Sequence, residues 1–436
     1  MARRRVRGTK GGTTNAAPAA TSAGVEALLL AALARGDGSL ETGRYLVTYK
    51  DGAAPEGVKA LRARGLRVAD ARDFNDSAVT VEDVGDADAL NCPAIGVALV
   101  SGASMQARGL AAFEASADSA IETIEPEYFA FAEHSEYLRG FMRAASTIAA
   151  DLGSSSGAAM ADDEELEAQV LGATWGLVRC RVPPSPRSGL GIKVAVLDTG
   201  MDLGHPDFPG RVAAAASFVG EPVQDLHSHG THCVGTACGP KAPAGSTPRY
   251  GIAHQARIFV GKVLTNSGSG TSGSVLAGMN WAIANRCQVI SMSLGAQTGV
   301  QAAYTAAGNA ALASGCLIIA AAGNAAAATG APANSPSIMS VASLDPTLAP
   351  SSFSNFGKIE IAAPGRDVFS SVPRPTRYGF KSGTSMATPH VAGVAALWAQ
   401  TSASLRGVLL WRKLQATARP LPFPVARVGR GLVQAP

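Results

Sequence analysis

Three residues of this chain are of the types that, brought together, make an acyl-transfer centre: Asp198, His229 and Ser385. A serine hydroxyl is a weak nucleophile until a base takes its proton. Histidine is the natural base near neutral pH, and a carboxylate orients the imidazole. Each residue also has an ordinary role. Asp198 closes the apolar run "IKVAVLD" ahead of Thr199-Gly200, which is a turn signal. His229, in "DLHSHGTHCVGTACG", begins a small-residue helix with His232 one turn on. Ser385, in "SGTSMATPHVAG", stands where a capping serine would. The three are far apart in the chain, so only the fold can bring them together.

The surroundings of Ser385 favour chemistry at a helix mouth. "MATPHVAGVAALWAQ" is nearly free of charge and apolar on every side, the pattern of a helix buried all round. With Thr384 as N-cap, Ser385 would lie among unpartnered backbone N–H groups at the positive end of the helix dipole. Pro389 cannot donate to the carbonyl of Ser385, so a distorted first turn is expected. Asn324 ends "IIAAAGN" and presents an amide where a strand should close, either as a turn residue or as a donor.

The elements that must position these groups are legible as alternating apolar runs and helical patterns beyond Trp175. The strands are "IKVAVLD", "ARIFVGKVL", "CQVISMSL", "CLIIAAAG", "PSIMSVAS" and "IEIAAPG". Helical patterns over "GSVLAGMNWAIAN", "VQAAYTAAGNAALAS" and residues 384–400 separate or follow them. Continuous apolar strands with crossover helices predict an α/β domain, a parallel sheet covered by helices on both faces. Such sheets carry their chemistry at the carboxyl ends of their strands.

The chain has 436 residues, 47% of them hydrophobic, enough for a large core and a second unit. A net charge of +4 gives no footprint for nucleic acid. Residues 1–43 form a disordered, basic N-terminal segment, with a short helix at 24–35. Its run "ALLLAALA" is too short for a membrane span and makes no convincing secretion signal. The compartment stays open, with export or retention in the cytoplasm both compatible. Residues 44–134 alternate strands ("RYLVTYKDG", "SAVTVED", "IGVALVSG", "AIETIEPEYFAFA") with helices ("GVKALRARG", "SMQARGLAAFEAS"), a small α+β sandwich. Residues 135–172 are an acidic, Ser/Gly-containing linker, and 173–436 form the large domain. Six cysteines are too few for a disulfide scaffold.

"VAVLDTGMDLGHPDF", "HSHGTHCVGTACG" and "SGTSMATPHVAGVAAL" resemble the three signature blocks of the subtilisin family of serine proteases, in its chain order Asp, His, Ser. "HGTHC" resembles the proteinase K branch. The resemblance implies a subtilisin-like serine endopeptidase in which Asp198 orients, His229 is general base and acid, Ser385 is the nucleophile and Asn324 stabilises the oxyanion. His232 takes no catalytic part. Gly268, Ser269 and Gly270 form one edge for an extended peptide substrate and Ser293, Leu294 and Gly295 the other. Small walls near Gly323 and Gly330 favour an apolar residue before the cut bond.

No cofactor is needed for the chemistry. No catalytic metal is expected, and the spacing of His229, His232, Cys233 and Cys238 matches no standard zinc site. Cys233 is expected to pack beneath the histidine. Asp207 matches a family calcium ligand, but "GPKAPAGSTPRYG" carries no recognisable calcium loop. Residues 44–133 resemble the family's inhibitor-like propeptide, which acts as intramolecular chaperone and inhibitor, with cleavage near Glu133. The expected partners are protein or peptide substrates and the chain's own propeptide, in a monomer. Two alternatives stay open, a narrow intracellular processing protease and a silent peptide-binding scaffold.

Overall fold

The computed structural model describes residues 24–36, 38–74, 87–107, 119–132 and 172–436. Its large domain is built on seven parallel strands: β6 (Lys193–Asp198), β7 (Val212–Ser217), β8 (Arg257–Lys262), β10 (Val289–Met292), β11 (Leu317–Ala321), β12 (Met339–Leu344) and β13 (Ile361–Pro364). Their order is β13-β12-β11-β10-β6-β8-β7. All six sequence-assigned runs lie consecutively in it, from one edge through the buried centre, because strands buried on both faces must be apolar throughout. β7, "VAAAAS", has alternate exposed positions and no β-branched run, so it gave no signal in the sequence.

Alternation along the strands divides the core in two. Val194 and Val196 of β6 face one side, with residues of α5 (His229–Cys238) and α8 (Thr384–Thr401). Ala195 and Leu197 face the other, with α6 (Ser272–Ala284) and α7 (Ala302–Ala313). Gly393 lets α8 approach α5 closely, since a Cβ there would stand 2.7 Å from Ile252 and 2.8 Å from the Ala237 carbonyl. α4 (Trp175–Arg179), α9 (Gly407–Thr417) and α10 (Val425–Val428) complete the helices of this domain, and β14 (Val368–Ser371) and β15 (Tyr378–Lys381) form a hairpin the sequence did not announce.

The front unit holds α1 (Val25–Arg35), β1 (Glu41–Tyr49), α2 (Ala54–Ala63), β2 (Val68–Asp70), β3 (Ala89–Cys92), β4 (Val97–Val100), α3 (Gly102–Ala107) and β5 (Ile121–Phe131). The segment expected to be disordered thus contains a packed helix, α1, where the short helix was expected. "SAVTVED" and residues 108–116 of the helix expected from Ser104 lie outside the described residues. Val47, Leu61, Met105 and Ile121 make a small core of this unit. Leu46 and Leu99, on the opposite face, join the core side formed by α6 and α7.

The sheet of the front unit has the order β2-β3-β4-β1-β5-β9, and β9 (Ser269–Thr271) belongs to the large domain. One hydrogen-bonded sheet therefore runs from one unit into the other. Among the described residues no helix is long and apolar enough to cross a membrane.

Candidate active site

Asp198 leaves the carboxyl end of β6 fully buried, and its Oδ1 accepts the Thr199 N–H at 2.7 Å. The same oxygen lies 2.7 Å from His229 Nδ1. Nδ1–H donates, which fixes the tautomer in which Nε2 is the acceptor nitrogen. His229 opens α5, and Gly230 beside it packs so tightly on the Gly200 carbonyl that no side chain fits. Burial opposes a charge on this imidazole, but Asp198 and the nearby Cys233 outweigh it and hold the pKa well above the usual histidine value. His232 is different. Burial pushes it down to about 3, and a ring nitrogen bonds the Val368 carbonyl at 2.9 Å, so it is a neutral structural residue.

Asp225 is a positioning group that sequence reasoning missed. Its Oδ1 accepts from Thr199 Oγ1, His227 N and Ser228 N, and its Oδ2 from Thr231 N and Oγ1. One buried carboxylate thereby ties the turn after Asp198 to the start of the helix carrying His229. The available signal was an aspartate shortly before a helix start. Lys262 helps from behind, donating to the Thr199 carbonyl at 2.7 Å.

Ser385 lies in the first turn of α8 and is buried. The expected cap is corrected: Thr384 is the first helical residue, Gly383 precedes it as N-cap, and no side chain caps the helix. Thr384 is diverted because its N–H and Oγ1–H both donate to Asn324 Oδ1 at 2.8 Å. With its oxygen held, the Asn324 amide lines the same cavity as Ser385. Gly323 supports this arrangement at φ +109°, where a side chain would collide with Asn355. The carbonyl that Pro389 cannot serve is taken by others. Ser293 Oγ donates to the Ser385 carbonyl at 2.7 Å, and Cys233 Sγ approaches it at 3.6 Å. Cys233 Sγ also lies 3.9 Å from His229 Nδ1, so one sulfur touches the elements of both His229 and Ser385.

The end of β5 fills the cleft between the two expected edges. Phe129, Ala130 and Phe131 pair with Thr271, Gly270 and Ser269. Ala132 N–H donates to the Gly268 carbonyl at 2.9 Å, and Phe131 exchanges two bonds of 3.0 Å with Gly295. Ser385 Oγ stands 3.2 Å from the Ala132 carbonyl oxygen and 3.4 Å from that of Ser293. Leu294, Gly323, Gly330 and Ala331 line a cavity beside Ala132 with about 40 Å³ of space remaining. Gly268, Ser269, Gly270, Leu294, Gly295 and Gly323 thus border the tail or its pocket, whereas the contacts of Ser293 are to Ser385.

At Asp207, the expected calcium position, both carboxylate oxygens are already engaged. Tyr250 and Tyr378 donate phenolic O–H groups to Oδ2, the latter at 3.1 Å, and Tyr378 stands 3.3 Å from Oδ1. Nearby Asp202 is paired with Arg374 through two bonds of 2.8 Å.

This arrangement of sheet, helix mouth and peptide cleft has close counterparts. Residues 189–429 match the subtilase family, peptidase S8. The chain is 41% identical over 268 residues to subtilisin Savinase of Lederbergia lenta, covering 60% of this chain and 96% of that protein. It is 40% identical over 281 residues to the M-protease of Shouchella clausii strain KSM-K16, covering 63% and 72%. A crystal structure of a cold-adapted subtilisin-like serine proteinase aligns with a TM-score of 0.52 and 35% identity, over 60% of this chain and 97% of that one. The chain belongs to the subtilase family. It is a subtilisin-like serine protease, and the chemistry of subtilisins needs no cofactor. The matches define the family and select no branch within it.

Proposed function

We propose that the chain is made as a zymogen whose front unit, from α1 through Ala132, is an inhibitory propeptide, and that it first cuts itself after Ala132. Ser385 Oγ attacks the Ala132 carbonyl carbon while His229 Nε2 takes its proton, with Asp198 stabilising the imidazolium. The oxyanion is met by the Ser385 N–H and the Asn324 amide. The bond to Glu133 breaks as His229 returns the proton to the departing amine. Water, with His229 as base, then releases Ala132 as a carboxylate. The observation that carries this reading is the 3.2 Å approach of Ser385 Oγ to the Ala132 carbonyl of a tail hydrogen-bonded on both edges.

Ala132 borders the small apolar pocket beside Ser385. Peptide and protein substrates with a small or medium apolar residue before the cut bond fit the same pocket. The enzyme acts as a monomer. Asp207 holds no calcium, because two tyrosine hydroxyls supply the positive partners a cation would. A silent peptide-binding scaffold is disfavoured by the 2.7 Å Asp198–His229 pair.

Wild type and Ser385→Ala are purified side by side and their N-termini sequenced. Wild type should yield a fragment starting at Glu133 and Ser385→Ala should stay whole. Equal processing of both would rule out self-cleavage, and a fluorophosphonate that leaves processed wild type unlabelled would revive the scaffold reading.

A further inference from the structure

One wall of the pocket beside Ser385 is formed by Gly330 and Ala331. Both belong to the connection from β11 to β12, residues 322–338, which holds no helix or strand of its own. Its middle, "NAAAATGAPANSPS", carries little side-chain volume, so apolar packing alone fixes its course poorly. Polar contacts from residues 355–360 fix it instead. Buried Asn355 accepts from the Ala325 and Ala327 N–H groups at 2.8 and 3.1 Å, and donates to the Ala322 and Ala328 carbonyls at 3.0 and 3.1 Å. Thr329 Oγ1 donates to the Phe356 and Lys358 carbonyls at 3.1 and 3.0 Å.

Lys358 anchors the part beyond the wall. Its ammonium donates to the Ala333 carbonyl at 2.9 Å, to the Ile338 carbonyl, and to Glu360 Oε2 at 2.9 Å. An ammonium has three N–H donors, and each has a partner here. Glu360 Oε2 also accepts the Ser340 N–H of β12 at 2.6 Å. The Ala333 and Ile338 carbonyls point their negative ends at one place, and the ammonium between them makes both hydrogen bonds charge-assisted. On the other side, the Ala331 carbonyl accepts the Ala296 N–H at 2.9 Å. The wall is thus spanned between Ala296 and Lys358, and Lys358 itself does not line the pocket.

We propose that Lys358 is a positioning residue for substrate selection, an internal cation that holds the Gly330 and Ala331 wall where it meets the side chain before the cut bond. This rests on the reading above that this pocket receives that side chain. Lys358 acts through the wall and not on Ser385 or His229, so its loss lets the wall drift while the acyl-transfer chemistry stays intact. The effect falls on substrates whose side chain is long enough to reach the wall. Cutting the lysine back to alanine leaves two carbonyl oxygens and one carboxylate oxygen around a hole, donors that suit a small cation.

The test uses active enzyme purified from the full chain as wild type, Lys358→Met, Lys358→Ala and Lys241→Met, the last removing an exposed lysine as control. Active sites are counted with a small alkyl fluorophosphonate, whose rate of reaction with Ser385 reports the triad without the pocket. The substrates are peptides that differ only by Leu or Gly before the cut bond. In Lys358→Met, KM for the Leu peptide should rise by about tenfold with kcat within about twofold, the pattern of lost uniform binding. KM for the Gly peptide and the labelling rate should stay within about twofold of wild type, because neither uses the wall. Lys241→Met should match wild type throughout. Ammonium chloride should bring KM of Lys358→Ala for the Leu peptide to within about threefold of wild type, whereas choline chloride, its cation too large for the hole, should not.

An unchanged KM for the Leu peptide in Lys358→Met, an equal rise for both peptides, or equal restoration by choline overturns the clamp and leaves the pocket reading standing. A wild type that does not distinguish Leu from Gly overturns both. Should Lys358→Met yield no labelled enzyme, the ammonium arm on Lys358→Ala decides, and failure to restore overturns the clamp.

Discussion

His229 can act as a base only while neutral, and its surroundings oppose neutrality. Burial disfavours the imidazolium, but the Asp198 carboxylate at 2.7 Å and the Cys233 sulfur raise its pKa well above the ordinary value. Two consequences follow from that direction. The charged pair stabilises the fold below the unfolded-state pKa of histidine and loses that contribution as pH rises through the folded one. Catalysis runs the opposite way, and kcat/KM should keep climbing with pH beyond the usual histidine range. Asp198→Asn removes the charge that does most to raise the pKa, so the rising limb should move to lower pH. Its kcat/KM should fall by about 10⁴, because the tautomer is no longer fixed. A pH–rate profile of the processed enzymes checks this, and a limb unmoved by the substitution would mean that Asp198 does not set the base.

At the scale of elements, two glutamates of β5 fasten the front unit to the large domain through helix ends. Glu125 accepts from the Ala302 and Ala303 N–H groups at the start of α7, at 3.0 and 2.7 Å. Glu127 accepts the Gly273 N–H at the start of α6 and is buried against Arg44, which bonds it at 2.6 and 2.8 Å. Both place negative charge on positive helix termini. They differ in what their loss leaves behind. Glu125→Ala removes a cap, a loss of about 1 kcal/mol. Glu127→Ala strands a buried guanidinium, and breaking such a pair costs about 3–5 kcal/mol. Thermal unfolding in the uncut Ser385→Ala background should therefore show a clearly larger drop for Glu127→Ala, and equal drops would mean the pair is not buried in solution.

For the whole molecule, the hairpin of β14 and β15 supplies partners to two carboxylates of the large domain. It brings Tyr378 to Asp207 and, through the turn between its strands, Arg374 to Asp202, whose carboxyl is held well below the usual range chiefly by the Arg374 hydrogen bond. Tyr250 completes the set from the segment where a calcium loop was sought, and burial beside Asp207 pushes its phenol far up, so it stays a donor. EDTA should leave the Tm of the purified protein unchanged. Tyr250→Phe should lower stability by about 1–3 kcal/mol, because a buried carboxylate loses a donor. A drop in Tm on EDTA addition that Asp207→Asn abolishes would restore the ion to this position.

The sequence by itself determined the catalytic residue types, their chain order and the parallel sheet. Strands such as "VAVLD" and "LIIAA" are buried on both faces and so cannot disguise themselves. It also indicated β5 as a strand and Pro389 as a residue leaving one carbonyl without its helical donor. Only the tertiary structure decided what answers that carbonyl, since Ser293 and Cys233 come from other elements. β9 is "SGT", with no strand propensity, and is a strand because β5 lies beside it. Thr384 looked like a cap but bonds Asn324, a partner 60 positions away. Asp225, Lys358 behind the pocket wall and the tyrosines on Asp207 were hidden for the same reason. A hydrogen bond or an apolar contact is set by what the fold brings within a few ångströms, and local composition carries no record of that.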